Sequence, residues 1–301
     1  MVNKESTTIL VIGSGTMGNG IAHSFAQHHF NVFLYDSNIE ALTKGIHTIS
    51  TNLERQIIKG IISESDKKTI LAHITPIEDF KKAAESSHVA IEAVPESFEI
   101  KKSIFALLDA YCPPETILAS NTSSISITQL AAVTQRPGNV IGMHFMNPVP
   151  VMKLVEVING INTSKKTTER IVSLAECIEK IPVCTKDYPG FISNRILMPM
   201  INEAIYCLYE GIAGINEIDQ IMKLGMSHPM GPLQLADYIG LDVCLNILRV
   251  LHEGFGNPKY APCPLLVNMV QANRLGSKTK QGFYDWKDPK NISPAISLHS
   301  I

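Results

Sequence analysis

Two short segments of this 301-residue chain carry residues suited to moving a proton. His144 stands in His144-Phe145-Met146-Asn147-Pro148, at the end of a run from Asn139 to Phe145 that reads as a β-strand. Glu156 follows in Lys153-Leu154-Val155-Glu156-Val157-Ile158, a second strand-like run reached through the turn Asn147-Pro148-Val149-Pro150. A strand that returns beside the first brings the carboxylate to the imidazole. Such a pair fixes the tautomer and stabilises the imidazolium formed when histidine takes a proton from an alcohol. Taken alone, a histidine at a strand end more often packs or hydrogen-bonds than acts as a base.

A second kind of chemistry is written near the amino terminus. Gly13-Ser14-Gly15-Thr16-Met17-Gly18 is a G-x-G-x-x-G that follows a strand and opens a helix, and Asp36 ends the next strand about 20 residues on. Glycines there permit a tight turn and close approach of a pyrophosphate to backbone N–H groups, while the helix terminus adds partial positive charge. Asp36 is suited to accept from a ribose hydroxyl and to repel the extra phosphate of NADP. No arginine follows it in Asp36-Ser37-Asn38, so NAD is preferred over NADP. The bland alternative is that the glycines serve only turn and packing geometry.

These residues need a sheet to hold them. Thr8 to Gly13, Asn31 to Asp36, His88 to Val94, Thr116 to Asn121 and Asn139 to Phe145 read as strands, separated by amphipathic stretches. Met17, Ile21, Ala22, Phe25 and Ala26 recur at helical spacing and complete a βαβ unit with the first two strands. The reading is an α/β, Rossmann-type, doubly wound and mostly parallel sheet over residues 1–188, followed by an all-α domain over residues 189–301. The boundary falls at Tyr188-Pro189-Gly190, where β-rich alternation gives way to helical patterns over Phe191 to Tyr209 and Leu233 to Leu251, the first kinked at Pro199. Both Ser120-Asn121-Thr122-Ser123-Ser124 and the segment at His144 then sit at the carboxyl edge of the sheet, where ligands bind in such folds.

Composition narrows the partners. A net charge of -2 without a long basic run argues against nucleic acid. No apolar stretch reaches about 18 residues, so no membrane span is expected. The first strand begins too early for a signal sequence to precede it, and the expected compartment is the cytoplasm. The six cysteines form no CxxC pair and mostly lie in apolar segments, which favours reduced core thiols; no metal site is expected.

Beyond these local features, the chain resembles the 3-hydroxyacyl-CoA dehydrogenase family along nearly its whole length, and within it the bacterial 3-hydroxybutyryl-CoA dehydrogenase branch. The resemblance rests on an ordered set that spans both domains. It comprises Gly13 to Gly18, Ser120 to Ser124, His144 to Pro148 with Met152 to Val157, and Pro189-Gly190-Phe191-Ile192-Ser193-Asn194-Arg195. His228-Pro229-Met230-Gly231-Pro232, Leu235 to Asp242 and Gly282-Phe283-Tyr284 complete it. The resemblance implies NAD-dependent oxidation of a 3-hydroxyacyl-CoA to the 3-ketoacyl-CoA, and the reverse. His144 matches the family's general base and Glu156 its orienting carboxylate. Ser123 and Asn194 match the polar pair that positions the substrate oxygen. Asn121, Asn147, Glu96 and Lys101 match positions that line the cofactor, although for Glu96 and Lys101 a solvated helix start is an equal alternative.

Arg55 and Lys59 stand four residues apart, share one helix face, and are suited to grip a CoA phosphate; the alternative is an ordinary exposed charged face near Glu54. Two departures from the family pattern are visible: Met146 replaces a common phenylalanine, and Lys280 stands where glycine is usual. A homodimer through the helical domain is also implied, with Leu, Ile and Val on more than one face of Leu233 to Leu251. Two rival readings remain open at this level. One is a small β-hydroxyacid dehydrogenase that uses a lysine base on free acids. The other is a noncatalytic or structural relative, against which the set Ser123, His144, Glu156 and Asn194 argues.

Overall fold

Apolar runs with little alternation suit strands covered on both faces, and in the computed structural model these runs form the middle of a sheet. The structure describes Lys4 and residues 6–295. Two units, Met1–Tyr188 and Pro189–Ile301, separate by their internal contacts. The first contains β1 (Thr8–Ile12), β2 (Asn31–Tyr35), β3 (Ile74–Ile77), β4 (Val89–Glu92), β5 (Ile117–Ser120), β6 (Val140–Phe145), β7 (Leu154–Asn159) and β8 (Ile181–Lys186). Their order across the sheet is β3-β2-β1-β4-β5-β6-β7-β8. Strands β1 to β6 run parallel, β7 is antiparallel to β6, and β8 is parallel to β7. The order reverses between β1 and β4, which opens a crevice at the carboxyl ends of those strands.

The sequence reading missed β3 and β8, and both have the same reason. Each carries a proline, Pro76 and Pro182, and each is an edge of the sheet. Proline cannot donate to a ladder and survives in a strand mainly at an edge.

The crossovers are α1 (Thr16–Gln27), α2 (Ile39–Ile58), α3 (Glu64–Ala72), α4 (Phe80–Glu85), α5 (Phe98–Tyr111), α6 (Ile127–Ala131) and α7 (Lys165–Cys177). Gly18, Ile21, Ala22 and Phe25 give α1 a buried stripe. Phe25 meets Phe30 and Phe145 edge-on, with ring centroids 5.5 and 6.5 Å apart. Burying one such ring is worth roughly 2–3 kcal/mol, so these contacts fix α1 firmly on the sheet. Side chains start most of the other helices: Asn38 accepts from Glu40 and Ala41 N–H, and Ser63 with Asp66 forms a reciprocal capping box.

The second unit holds α8 (Ser193–Tyr209), α9 (Ile215–Gly225), α10 (Pro232–Ile239), α11 (Leu241–Phe255), α12 (Pro264–Gln271) and a two-stranded ladder of β9 (Tyr284–Asp285) and β10 (Ser293–Pro294). The stretch from Leu233 to Leu251 is two helices rather than one. Gly240, at φ +104°, takes a conformation that a helix cannot continue through, so the apolar periodicity runs on while the backbone turns. The first helix starts at Ser193, not Phe191, because Gly190 and Phe191 both have positive φ. Pro199 lies inside α8 and withholds a donor from the Arg195 carbonyl. Lys280 is left-handed, at φ +59°, which accounts for the glycine usual at that place.

Two buried carboxylates organise this unit. Asp219 accepts from Leu233 and Gln234 N–H at the start of α10 and from the Tyr284 hydroxyl, all within 2.9 Å. Asp237, 0% exposed, accepts from Phe283 N–H, Tyr284 N–H and Trp286 Nε1. Burial lifts the Asp237 carboxyl to about 6 against the pull of those donors, so it remains charged at neutral pH. A Cβ at Gly231 or Gly282 would lie within 2.2 and 2.0 Å of the two carboxylates, which explains both glycines. No helix among the described residues is long and apolar enough to cross a membrane.

Substituting Asp237 by alanine leaves three buried donors unsatisfied. Unfolding in urea, followed by the fluorescence of Trp286, the single tryptophan, is expected to show a loss of about 3 kcal/mol or more. A change below about 0.5 kcal/mol would contradict the role assigned to this carboxylate.

Candidate active site

The antiparallel pairing of β6 and β7 sets His144 directly opposite Glu156. His144 Nδ1 and Glu156 Oε2 are 2.8 Å apart, with the two residues 9% and 4% exposed. Gly142, on the same face of β6, makes the close approach of β7 feasible, since a Cβ there would stand 2.7 Å from the Ile158 Cβ. Charge-assisted contacts of this length are the strong kind, and burial excludes the water that would weaken it. With Nδ1 engaged by a carboxylate, the ring is fixed in orientation.

At the other side of the crevice, the glycine loop joins β1 to α1. Gly13 has φ +96°, and a Cβ on it would come within 2.6 Å of the Ala93 carbonyl; a Cβ on Gly18 would stand 1.7 Å from the Gly13 carbonyl. Nothing lies within 4 Å of the position a Gly15 Cβ would take. No side chain caps the amino end of α1 at Gly15, so no side chain at that end takes up its first N–H groups. Asp36 accepts from Ser14 N–H at 2.8 Å, Ser14 Oγ at 2.7 Å and Asn38 N–H at 3.0 Å. Burial works to raise its carboxyl, but these donors win and hold it below the usual range. A cleft of about 420 Å³ opens beside the loop, lined by Ser14, Gly15, Thr16, Gly45, Asn147 and neighbours. Thr16 is exposed at its wall, while Met17 packs against the core. Open space before uncapped N–H groups, with an ionised carboxylate alongside, fits a dinucleotide.

Between these two features lies a charge network, buried at Glu92 and Lys101 and open to solvent at Glu96. Lys101, in α5, is 1% exposed, so the expected alternative of a solvated helix start does not hold for it. Its Nζ reaches Glu92 Oε1 at 2.6 Å, Glu96 Oε2 at 3.2 Å and the Val94 carbonyl at 3.2 Å. Glu96 in turn accepts from Thr122 Oγ1, Ser123 N–H, Ser124 N–H and Ser124 Oγ, at 2.6 to 3.1 Å. Burial raises the Glu96 carboxyl, yet Lys101 and these donors outweigh it and leave the group below its ordinary value. For Glu92, burial dominates and pushes the carboxyl up. The sequence reading passed over Glu92. Its signal was an acid at the carboxyl end of an otherwise apolar parallel strand, a position with no reason to be charged unless a partner is buried with it.

Asn121 closes the link between β5 and β6: its N–H donates to the Glu92 carbonyl at 2.8 Å, and its Oδ1 accepts from Phe145 N–H at 2.9 Å. Arg55 and Lys59 are exposed on α2, Lys59 being the residue that ends it. Glu54 pairs with Lys67 at 2.8 Å rather than with either of them. Asn194 is buried in the first turn of α8, in the second unit. Cys112, Cys244 and Cys263 are buried free thiols, Cys177 and Cys207 are half-buried, and Cys184 is exposed on edge strand β8, so the expectation of core thiols holds for three of the six. No group of side chains among the described residues could hold a metal ion.

A glycine loop backed by an acid, and an imidazole–carboxylate pair at the carboxyl edge of the same sheet, are the features expected of a nicotinamide-dependent dehydrogenase. Residues 8–188 match the family model described as "3-hydroxyacyl-CoA dehydrogenase, NAD binding domain", and residues 190–286 match "3-hydroxyacyl-CoA dehydrogenase, C-terminal domain". The chain belongs to the 3-hydroxyacyl-CoA dehydrogenase family. It is 53% identical over 284 residues to a probable 3-hydroxybutyryl-CoA dehydrogenase of Bacillus subtilis, covering 94% of this chain and 99% of that one. A 3-hydroxybutyryl-CoA dehydrogenase of Bradyrhizobium diazoefficiens is 51% identical, over 94% of this chain and 96% of the relative. The crystal structure of (S)-3-hydroxybutyryl-CoA dehydrogenase from Ralstonia eutropha superposes with a TM-score of 0.91 at 46% identity, covering 93% and 99% of the two chains. The chain is thus an NAD-linked oxidoreductase, with the dinucleotide assigned to its first unit.

Replacing Asp36 by alanine removes the acid that an NADP phosphate would oppose. The ratio of kcat/KM with NADH to that with NADPH is expected to fall by about tenfold or more, one lost charge-assisted hydrogen bond being worth ~1.5–3 kcal/mol. An unchanged ratio would show that Asp36 does not set cofactor choice.

Proposed function

We propose that the chain interconverts (S)-3-hydroxybutyryl-CoA and acetoacetyl-CoA, with His144 carrying the proton. The observation that supports this most directly is the 2.8 Å contact between His144 Nδ1 and Glu156. NAD, when bound, supplies the acceptor or donor of hydride at substrate C3. During oxidation His144 removes the C3 hydroxyl proton through Nε2, and Glu156 stabilises the resulting imidazolium. During reduction the same imidazolium returns a proton to the C3 oxygen. Ser123 and Asn194 donate hydrogen bonds to that oxygen as negative charge develops on it.

Gly13, Gly15, Thr16, Met17 and Gly18 form the pyrophosphate loop in this reading, and Asp36 takes the ribose hydroxyls. Asn121, Asn147, Glu96 and Lys101 line the nicotinamide half. Arg55 and Lys59 hold a CoA phosphate from the exposed face of α2, an electrostatic contact on which exposed cations are effective. The short acyl chain is supported by the relatives from Bacillus subtilis and Ralstonia eutropha, which carry the name 3-hydroxybutyryl-CoA dehydrogenase. A homodimer through the second unit is supported by exposed apolar side chains on and beside α9: Ile212, Ile221, Leu224 and Met226, between 60 and 83% exposed. The cytoplasm is the proposed compartment.

The test is NADH consumption with acetoacetyl-CoA, set beside free acetoacetate and beside NADPH. Binding energy from the remote CoA moiety is used at the reacting centre. The thioester is therefore expected to exceed the free acid in kcat/KM by about 100-fold or more, with NADH ahead of NADPH. Comparable rates with the free acid would move the chain to the β-hydroxyacid class, and binding of NADH without turnover of any ketoacyl-CoA would favour a noncatalytic relative.

A further inference from the structure

Glu92 has no part in the chemistry just described, yet it is the most fully enclosed charge near it. It ends β4 at 0% exposure, and both of its carboxylate oxygens are engaged. Oε1 takes Val94 N–H at 2.7 Å and Lys101 Nζ at 2.6 Å; Oε2 takes the Ser120 hydroxyl at 2.6 Å. Ser120 Oγ itself accepts from Thr122 N–H at 3.2 Å. Lys101 then passes the influence to Glu96, whose carboxylate gathers Thr122, Ser123 and Ser124. Two carboxylates thus share one ammonium, and the turn that carries Ser123 is held at both ends of the arrangement. Through its carbonyl and Asn121, Glu92 is also tied to Phe145, the neighbour of His144.

A buried ion pair is weak evidence of stability, because apolar side chains of the same volume often serve as well or better. What such a group does well is fix geometry, since a fully satisfied buried network tolerates few alternative arrangements. We propose that Glu92 is a positioning residue: acting through Lys101, Glu96 and Ser120, it sets where the Ser123 hydroxyl meets the substrate oxygen. The proposal rests on the role given to Ser123 above. Removing the Glu92 charge leaves Lys101 with Glu96 as its one carboxylate partner, draws the ammonium toward it, and re-aims the carboxylate that anchors the 122–124 turn. Glu92 itself has no substrate or cofactor role in the proposed reaction, and a cycle with Ser123 separates a cost carried through the 122–124 turn from one carried through Glu96 and Lys101 at the cofactor.

The experiment is a double-mutant cycle on acetoacetyl-CoA reduction with Ser123→Ala, Glu92→Gln and the pair, each checked for folding by circular dichroism. Loss of one donor to a developing oxyanion lowers kcat by about 10²–10³-fold, and Ser123→Ala is expected to fall in that range. Glu92→Gln is expected to lose about tenfold or more in kcat, with KM for acetoacetyl-CoA within about threefold of the parent, as for an interaction expressed in the transition state. The double variant is expected to match Ser123→Ala within about threefold, because residues that act as a unit are not additive. Additive losses, or full turnover in Glu92→Gln, would overturn the proposal. Full turnover in Ser123→Ala would instead overturn the assignment of Ser123 on which it rests. If Glu92→Gln does not fold, Ser120→Ala, which deletes one donor to the same carboxylate, replaces it in the cycle with the same expected coupling and the same contrary outcomes.

Discussion

Side chains alternate across a strand, so a slip of one residue between β6 and β7 would send Glu156 to the opposite face from His144. The register is held by close apolar fit rather than by the pair itself. Met143 and Phe145, with Val155 and Val157 opposite, are all at most 1% exposed and belong to the main core, and Gly142 lets Ile158 close over β6. Moving that set by one position would pull it out of its packing and turn the Glu156 carboxylate into an apolar part of the core, at a cost far above that of a single ion pair. The acid–base pair is therefore placed by hydrophobic burial and used by electrostatics.

The same division of labour runs through the rest of the molecule. Where the backbone must turn at the sheet's carboxyl edge, the turns are pinned by carboxylates that find donors: Asp36 on the glycine loop, Glu96 on the serine turn, Glu92 beneath both Ser120 and Lys101. In the second unit Asp219 and Asp237 do this for α10 and the segment at β9. Each acid loses hydration on burial, and each recovers it from fixed N–H and O–H groups, so the loops inherit the rigidity of the elements beneath them.

How much of this is visible in sequence depends on what kind of signal carries it. The glycine loop, Asp36 and the two strands bearing His144 and Glu156 announce themselves, because tight turns need glycine and covered strands need continuous apolar runs. Strands β3 and β8 do not, since Pro76 and Pro182 look like breaks until one knows that they lie on edges. The division of Leu233 to Leu251 at Gly240 is hidden for a related reason: apolar periodicity records what is buried, and here both helices bury the same kind of face. Glu92 and Lys101 are the most instructive cases. A charge is solvated by default in any sequence reading, and their mutual burial follows from contacts between β4 and α5 that spacing alone does not reveal.

The central claim is that the His144–Glu156 pair performs the proton transfer. The direct measurement is kcat for acetoacetyl-CoA reduction in His144→Ala and Glu156→Gln, with NADH binding followed in parallel by fluorescence. Positioned acid–base groups contribute about 10²–10⁴-fold, and the account predicts a loss of that order in His144→Ala, a smaller loss in Glu156→Gln, and NADH binding intact in both. Turnover in His144→Ala within a few-fold of the parent would contradict it.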